Sequence, residues 1–205
     1  MLWSKFTQTM EMQMESLRGQ FLVAMPGMGD DRFHESVIYI VGHGEEGAMG
    51  LVVNRPVEDL TFVDILEELG LTAGPEAINL PSRVKEREVL RGGPVQRGRG
   101  FVLHSPDYFR EENSYVVNDE ICLTATLDIL KSMAFLDTPS DAVFALGYCG
   151  WASGQLENEI ALNGWLTVPY SRDLLFGSAL SDRYDLALGQ LGITRATLSG
   201  AAGHA

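Results

Sequence analysis

Short apolar runs alternate with stretches rich in glycine, proline and acids, and the spacing inside each run separates strand from helix. Phe21–Met25 is a continuous apolar run stopped by Pro26-Gly27, which predicts a buried strand. Ser36–Val41 and Ala48–Asn54, rich in β-branched residues, flank the turn-forming GHGEEG of residues 42–47, so 36–54 predicts a hairpin. The period then changes. Phe62, Leu66 and Leu69 recur at helical intervals behind Thr61-x-x-Asp64, a capping box with Asp in place of Glu, and Gly70 supplies the stop. Residues 72–87 read as a polar excursion over the surface.

Downstream, residues 88–94 and 100–105 predict two strands around Gln96-Arg97-Gly98-Arg99, and Tyr115–Val117 and Glu120–Leu123 two shorter ones. Leu123, Leu127, Leu130 and Ala134 share a helical face, with Pro139 at the exit. Ala142–Leu146 is an apolar run followed by a turn punctuated by Gly147, Gly150 and Gly154, and then by a helix. The unpaired N–H groups at that helix start would face the turn, a natural place for an anion or a carbonyl. Trp165–Val168 predicts the final strand. A helix capped by Ser181 or Asp182, with Tyr184, Leu188 and Leu191 as its stripe and Gly192 as its stop, predicts the C-terminal region. Strand pairs interleaved with separate helices indicate an α+β domain over residues 17–205, not a doubly wound parallel sheet. Residues 1–16, with Met10, Met12 and Met14 at alternate positions, read as an N-terminal extension: a tail, or a strand that pairs only with a partner.

Composition narrows the function. The chain has 205 residues and a formal charge of −13, which sets it against polyanionic partners, both nucleic acid and anionic membrane. No apolar run approaches the ~20 residues of a membrane span, and the polar N-terminus lacks a signal-peptide core. Cys122 and Cys149 form no CxxC pair, consistent with reduced thiols in a cytoplasmic protein.

Five long motifs carry a resemblance. LRGQFLVAMPGMGDDRFHESVIYI, GAMGLVVNRP, GGPVQRGRGFVLHSPDY, GYCGWASGQLENEI and the closing AGHA run in order through residues 17–205 and resemble the YqgE/AlgH family of bacterial proteins. The resemblance implies a compact α+β fold with coiled, bifurcated β-sheets and flanking helices, in a cytoplasmic protein. One branch of that family carries a transcriptional-regulator label; the resemblance brings no catalytic or binding residues with it. The family's small apolar residue at the GYxGW position is Cys149 here, which argues against an essential reaction at that thiol.

The residues themselves offer one candidate ligand pocket, at the glycine-rich turn: Arg91, His104, Gly150, Trp151 and Gln155, with Glu157 or Glu159 at its rim. The same glycines have a purely architectural reading, in which they let the chain turn beneath Trp151. No P-loop lysine follows them. Catalysis would need Cys149 as nucleophile with His104 as its base and Gln155 nearby, and nothing in the sequence brings these together. His34, His43, His104 and His204 show no metal-ligand spacing, so neither metal nor cofactor is expected. Arg83, Lys85, Arg87, Arg91, Arg97 and Arg99 form the one basic stretch, broken by Glu86 and Glu88. Folded onto one face it could contact phosphate or an acidic partner, but no helix-turn-helix or base-stacking series accompanies it, and a solvated face is the plainer reading. Asn54 and Arg91 each stand where a strand ends near a proline, a common place for a polar group facing a cleft; Asn54 has the alternative of satisfying turn backbone through an Asx-type bond. The expectation is a non-enzymatic binding or regulatory protein acting through a small ligand or a protein partner, with self-association open, and with a hydrolase-like pocket as the alternative.

Overall fold

The computed structural model describes residues 16–72, 79–136 and 138–201, so the Met-rich N-terminal extension lies outside the described residues apart from Ser16. In chain order the strands are β1 (Phe21–Ala24), β2 (Val37–Gly44), β3 (Gly47–Val52), β4 (Pro56–Thr61), β5 (Glu88–Arg91), β6 (Val95–His104), β7 (Ser114–Val116), β8 (Cys122–Thr124), β9 (Ala142–Ala152) and β10 (Trp165–Val168). The α-helices are α1 (Phe62–Glu68), α2 (Ser82–Lys85), α3 (Leu127–Lys131), α4 (Gln155–Ala161), α5 (Arg183–Gln190) and α6 (Arg195–Ala201). Among the described residues no helix is long and apolar enough to cross a membrane.

The strands run β10-β1-β2-β3-β9-β6-β8-β7, with β5 also on β9 and β4 on β5. Every pairing is antiparallel except β5 on β9. This is the α+β arrangement the strand pattern predicts. The sheet divides along β9. Its C-terminal half pairs with β3, Gly50 opposite Cys149, while its N-terminal half lies between β6 and the parallel β5, Arg91 opposite Leu146. The changeover falls at Gly147, whose φ of 73° lies in the left-handed region.

Helices and loops cover both faces, so β1 is buried throughout. Phe21 and Val23 join the core formed by Tyr39, Leu51, Leu103, Val168 and Leu188, while Leu22 and Ala24 join Ile38, Ile40, Trp151 and Trp165 on the other face. A third cluster, around Phe62, Leu66, Val89 and Phe144, lies under α1 and α3. The capping box forms as expected: Thr61 accepts from the Asp64 N–H at 3.1 Å, and Asp64 accepts from the Thr61 N–H at 2.8 Å. Gly70 and Gly192 end their helices with positive φ.

Three expectations need correction. The strand beginning at Ala142 does not stop at Leu146; it continues through Gly147 and Gly150 to Ala152, and only Ser153-Gly154 turns. Glycine at a strand bend and glycine at a turn look alike in sequence. Gln96–Arg99 is likewise no linker but part of β6, where the register against β9 shifts between Val95 and Gly100. The predicted Leu123–Ala134 helix starts only at Leu127: Leu123 belongs to β8, and Leu127 is exposed.

Candidate functional site

Three backbone hydrogen bonds assemble a concavity at the bend of β9. The Arg91 N–H donates to the Arg55 carbonyl, the Val52 N–H to the Gly92 carbonyl, and the Gly92 N–H to the Leu146 carbonyl, each at 2.8 Å. They draw the end of β3, the start of β4 and the end of β5 onto the bend of β9. The Gly92-Gly93 pair makes the crossing sterically feasible. A Cβ on Gly92 would stand 2.3 Å from the Gly147 carbonyl oxygen, and one on Gly93 would stand 2.1 Å from the Tyr148 carbonyl carbon. Pro94 then turns the chain into β6 and carries Arg97 to the same side.

The resulting cavity, about 370 Å³, is lined by Asp31, Arg32, Phe33, Val52, Arg55, Arg91, Gly93, Pro94 and Arg97. Four guanidinium groups on one concavity stand out in a chain whose formal charge is −13. Their states differ. Arg32 is engaged by Asp30, which accepts from its Nε at 2.9 Å and its Nη2 at 2.6 Å and also caps the short 3-10 turn Asp31–Phe33. That pairing holds the Asp30 carboxyl below the usual carboxylate range. Arg55 donates to the His34 carbonyl; burial, then the adjacent Arg91 charge, lowers its pKa, with Glu35 opposing. Arg91 and Arg97 have no hydrogen-bond or ion-pair partner for their side chains among the described residues.

The five residues of the sequence-based pocket do not surround this cavity or any other single space. Arg91 lines it. His104 is fully buried opposite Ala142, at the far end of β9 from Gly150 and Trp151. Eight residues of strand, about 26 Å of path, separate the two ends. His104 Nδ1 lies 2.8 Å from the Ser105 carbonyl and Nε2 2.9 Å from Thr124 Oγ1, and burial pulls its pKa down. It is a satisfied core histidine. Trp151 and Gln155 do meet, at Glu159. Its Oε2 accepts from the indole N–H of Trp151 at 2.9 Å and of Trp165 at 2.8 Å, and its Oε1 accepts from Gln155 Nε2. Gln155 Oε1 accepts from the Ala152 N–H, which fastens the turn. Gly150 is exposed on β9 opposite Met49. Glu159 and Trp165 help line a separate cavity of about 350 Å³ with Asp30, Phe33 and Leu162. Glu157 instead meets His43, 2.9 Å from Nε2.

Cys149 is buried, its thiol 3.5 Å from the Gly92 carbonyl and pushed up to about 12 by desolvation. No thiolate is available there near neutrality, and the histidine proposed as its base is seven strand residues away. Among the described residues, no group of three His, Cys, Asp or Glu side chains is placed to hold a metal ion. The basic stretch also disperses. Arg87 donates to the Ala142 carbonyl at 2.7 Å and covers Phe62, while Arg99 lies over Phe101. Asn54 has a structural role, though not the local Asx-type bond expected: it accepts from the Val37 N–H and donates to the Glu35 carbonyl, tying the end of β3 to the start of β2. Sequence reasoning missed Arg32, Phe33 and Arg55; it placed Arg91 and Arg97 in one basic stretch but did not bring Arg55 or the Asp31 loop to them. The available signals were that basic stretch and the Arg-Gly-Gly-Pro run, whose glycines mark a close backbone crossing.

Comparison with known proteins places these features in a family. The AlgH-like family model matches residues 21–196. A UPF0301 protein of Methylobacterium sp. (strain 4-46) is 53% identical over 189 residues, covering 92% of this chain and 90% of the relative. One from Mesorhizobium japonicum is 54% identical, covering 92% and 93%. The solution structure of the AlgH protein from Pseudomonas aeruginosa is similar with a TM-score of 0.74 at 38% identity, covering 93% of this chain and 96% of that one. A crystal structure of a Corynebacterium diphtheriae protein, 20% identical with a TM-score of 0.63 over 92% and 93% of the two chains, shares the fold. The chain therefore belongs to the AlgH-like, UPF0301 family.

Proposed function

We propose that the protein is a non-enzymatic binding protein of the cytoplasm with a regulatory role, and that its ligand is an anionic small molecule received by the arginine-lined cavity. One observation carries this reading: Arg91 and Arg97 lack side-chain partners among the described residues on a cavity that also holds Arg32 and Arg55. Guanidinium groups left without an acceptor on a concave wall are available to carboxylate or phosphate, whose geometry their planar fork matches. The volume falls within the ~300–1,000 Å³ range of small-molecule sites. The separation of Cys149 from His104 supports binding rather than turnover.

The test is a thermal-shift screen of metabolites against the wild type and an Arg91→Ala/Arg97→Ala double variant, with the recovered compounds checked by mass spectrometry. Anions should raise the wild-type melting temperature, fail to raise that of the variant, and be recovered unchanged. Stabilisation by neutral compounds alone, or chemical conversion of the bound compound, would overturn the reading.

A further inference from the structure

This inference rests on the anion-binding reading above and names the chemical class of the ligand. Of the four arginines, Arg32 is already forked onto Asp30. Arg91 and Arg97 are without side-chain partners among the described residues, and Arg55, which gives one nitrogen to the His34 carbonyl, keeps further donors. The three arrive from different stretches of backbone: the β3–β4 connection, the end of β5 and β6. One guanidinium fork satisfies a planar carboxylate, whereas three approaching a common space suit a tetrahedral group with several oxygens. Arg55 and Arg91 are near enough for the charge of one to weaken the proton affinity of the other, and a dianion between them relieves that repulsion. The remaining wall is apolar, made by Phe33, Val52 and Pro94, and the cavity holds more than a lone phosphate. The Asp31 carboxylate also lies on the lining, where it disfavours a second anionic group and can accept from a hydroxyl or an amine.

We propose that the cavity binds a phosphate monoester, its dianionic head held by Arg55, Arg91 and Arg97 and its uncharged body laid against Phe33, Val52 and Pro94. The anionic end meets guanidinium, the rest meets apolar wall, and the length of the body is limited by a pocket of about 370 Å³.

Calorimetric titration of the full chain with phenyl phosphate, phenyl sulfate, inorganic phosphate and citrate tests this. Phenyl phosphate should bind about tenfold or more tightly than phenyl sulfate at pH 7.5, because only the phosphate ester carries a second charge, with an ionisation near pH ~6. That advantage should vanish at pH 5. Asp30, Asp31, Glu35 and His34 are the titratable groups around the arginines, so the profile is repeated in His34→Gln, where the pH dependence should persist. Arg91→Ala and Arg97→Ala should each weaken phenyl phosphate by about tenfold, with unchanged melting temperatures confirming an intact fold. Phe33→Leu should weaken phenyl phosphate and leave inorganic phosphate unaffected. Equal binding of phenyl sulfate or citrate, or indifference to both arginine substitutions, overturns the phosphate-ester inference while leaving an anion site elsewhere in play. If none of the four anions binds, the anion-binding reading of the cavity falls with it.

Discussion

Gly92→Ala is the perturbation that asks most directly whether the cavity is built by backbone crossing. The added methyl would stand 2.3 Å from the Gly147 carbonyl oxygen, 3.3 Å from the Gly147 carbonyl carbon and 3.0 Å from Ala145 Cβ. These are main-chain atoms and a stub on the longest strand, so no flexible side chain can swing aside. Relief requires β5 to move off β9. That movement weakens the Val52 N–H to Gly92 carbonyl bond and the Gly92 N–H to Leu146 carbonyl bond, both 2.8 Å. Overpacking alone costs ~1–3 kcal/mol, and each buried hydrogen bond adds ~0.5–1.5 kcal/mol, so a loss of about 3 kcal/mol or more is expected. In a chain of this size that lowers the melting temperature by about 6–12 °C. Urea and thermal melts measure it directly. Gly98→Ala is the control, since a Cβ there meets nothing within 4 Å. A Gly92→Ala variant within ~0.5 kcal/mol of the wild type, the scatter of ordinary surface substitutions, would refute the crossing as the structural basis of the site.

Glu159→Ala should orphan two buried indole N–H groups at ~1–3 kcal/mol each, with Glu159→Gln recovering most of the loss because it keeps an acceptor oxygen; chemical denaturation and tryptophan emission report both. Cys149 should resist thiol reagents at pH 7.5 in the native protein and react once urea unfolds it, since its thiol is buried and pushed up to about 12; rapid native labelling at this position would contradict the burial. Burial also depresses the His104 pKa, so below the unfolded value of ~6.5 the unfolded chain takes up a proton that the fold refuses. Stability should therefore fall as pH drops below ~6.5, by at most ~1.4 kcal/mol per pH unit from this residue, and His104→Gln should remove that component from urea melts taken between pH 8 and 5.5.

What could be read from the chain alone was local. The Thr61–Asp64 cap, the Gly70 stop and the 36–54 hairpin depend on residues a few positions apart, and each formed where the pattern indicated. Gly147 was misread because a left-handed glycine inside a strand carries the same letter as one in a turn; only the close approach of Gly93 to it tells them apart. The parallel pairing of β5 with β9 joins residues more than fifty positions apart and leaves no periodic trace. The site failed to appear for the same reason. Arg32, Arg55 and Arg91 become neighbours only through contacts between distant segments, Arg55 reaching the His34 carbonyl and the Arg91 N–H reaching the Arg55 carbonyl, whereas Trp151, Gln155 and Glu159, close in sequence, meet on their own.

If the cavity takes an anion as proposed, the charge distribution bears on the size of that anion. Exposed acids such as Glu45, Glu46, Glu67, Glu68, Glu111 and Glu112 give the surface its negative field, yet at physiological ionic strength that field is screened beyond ~8 Å. A compact anion inside the cavity places all of its charge within that distance of Arg55, Arg91 and Arg97. Nucleic acids and anionic bilayers draw their affinity from many cations in register, which four arginines on one concavity do not offer. Arg87 and Arg99, the remaining members of the basic stretch with visible engagements, are turned to Phe62 and Phe101 and extend no such row. On the proposed reading, the local excess of guanidinium and the global excess of carboxylate act in the same direction, favouring a small anion over a large one.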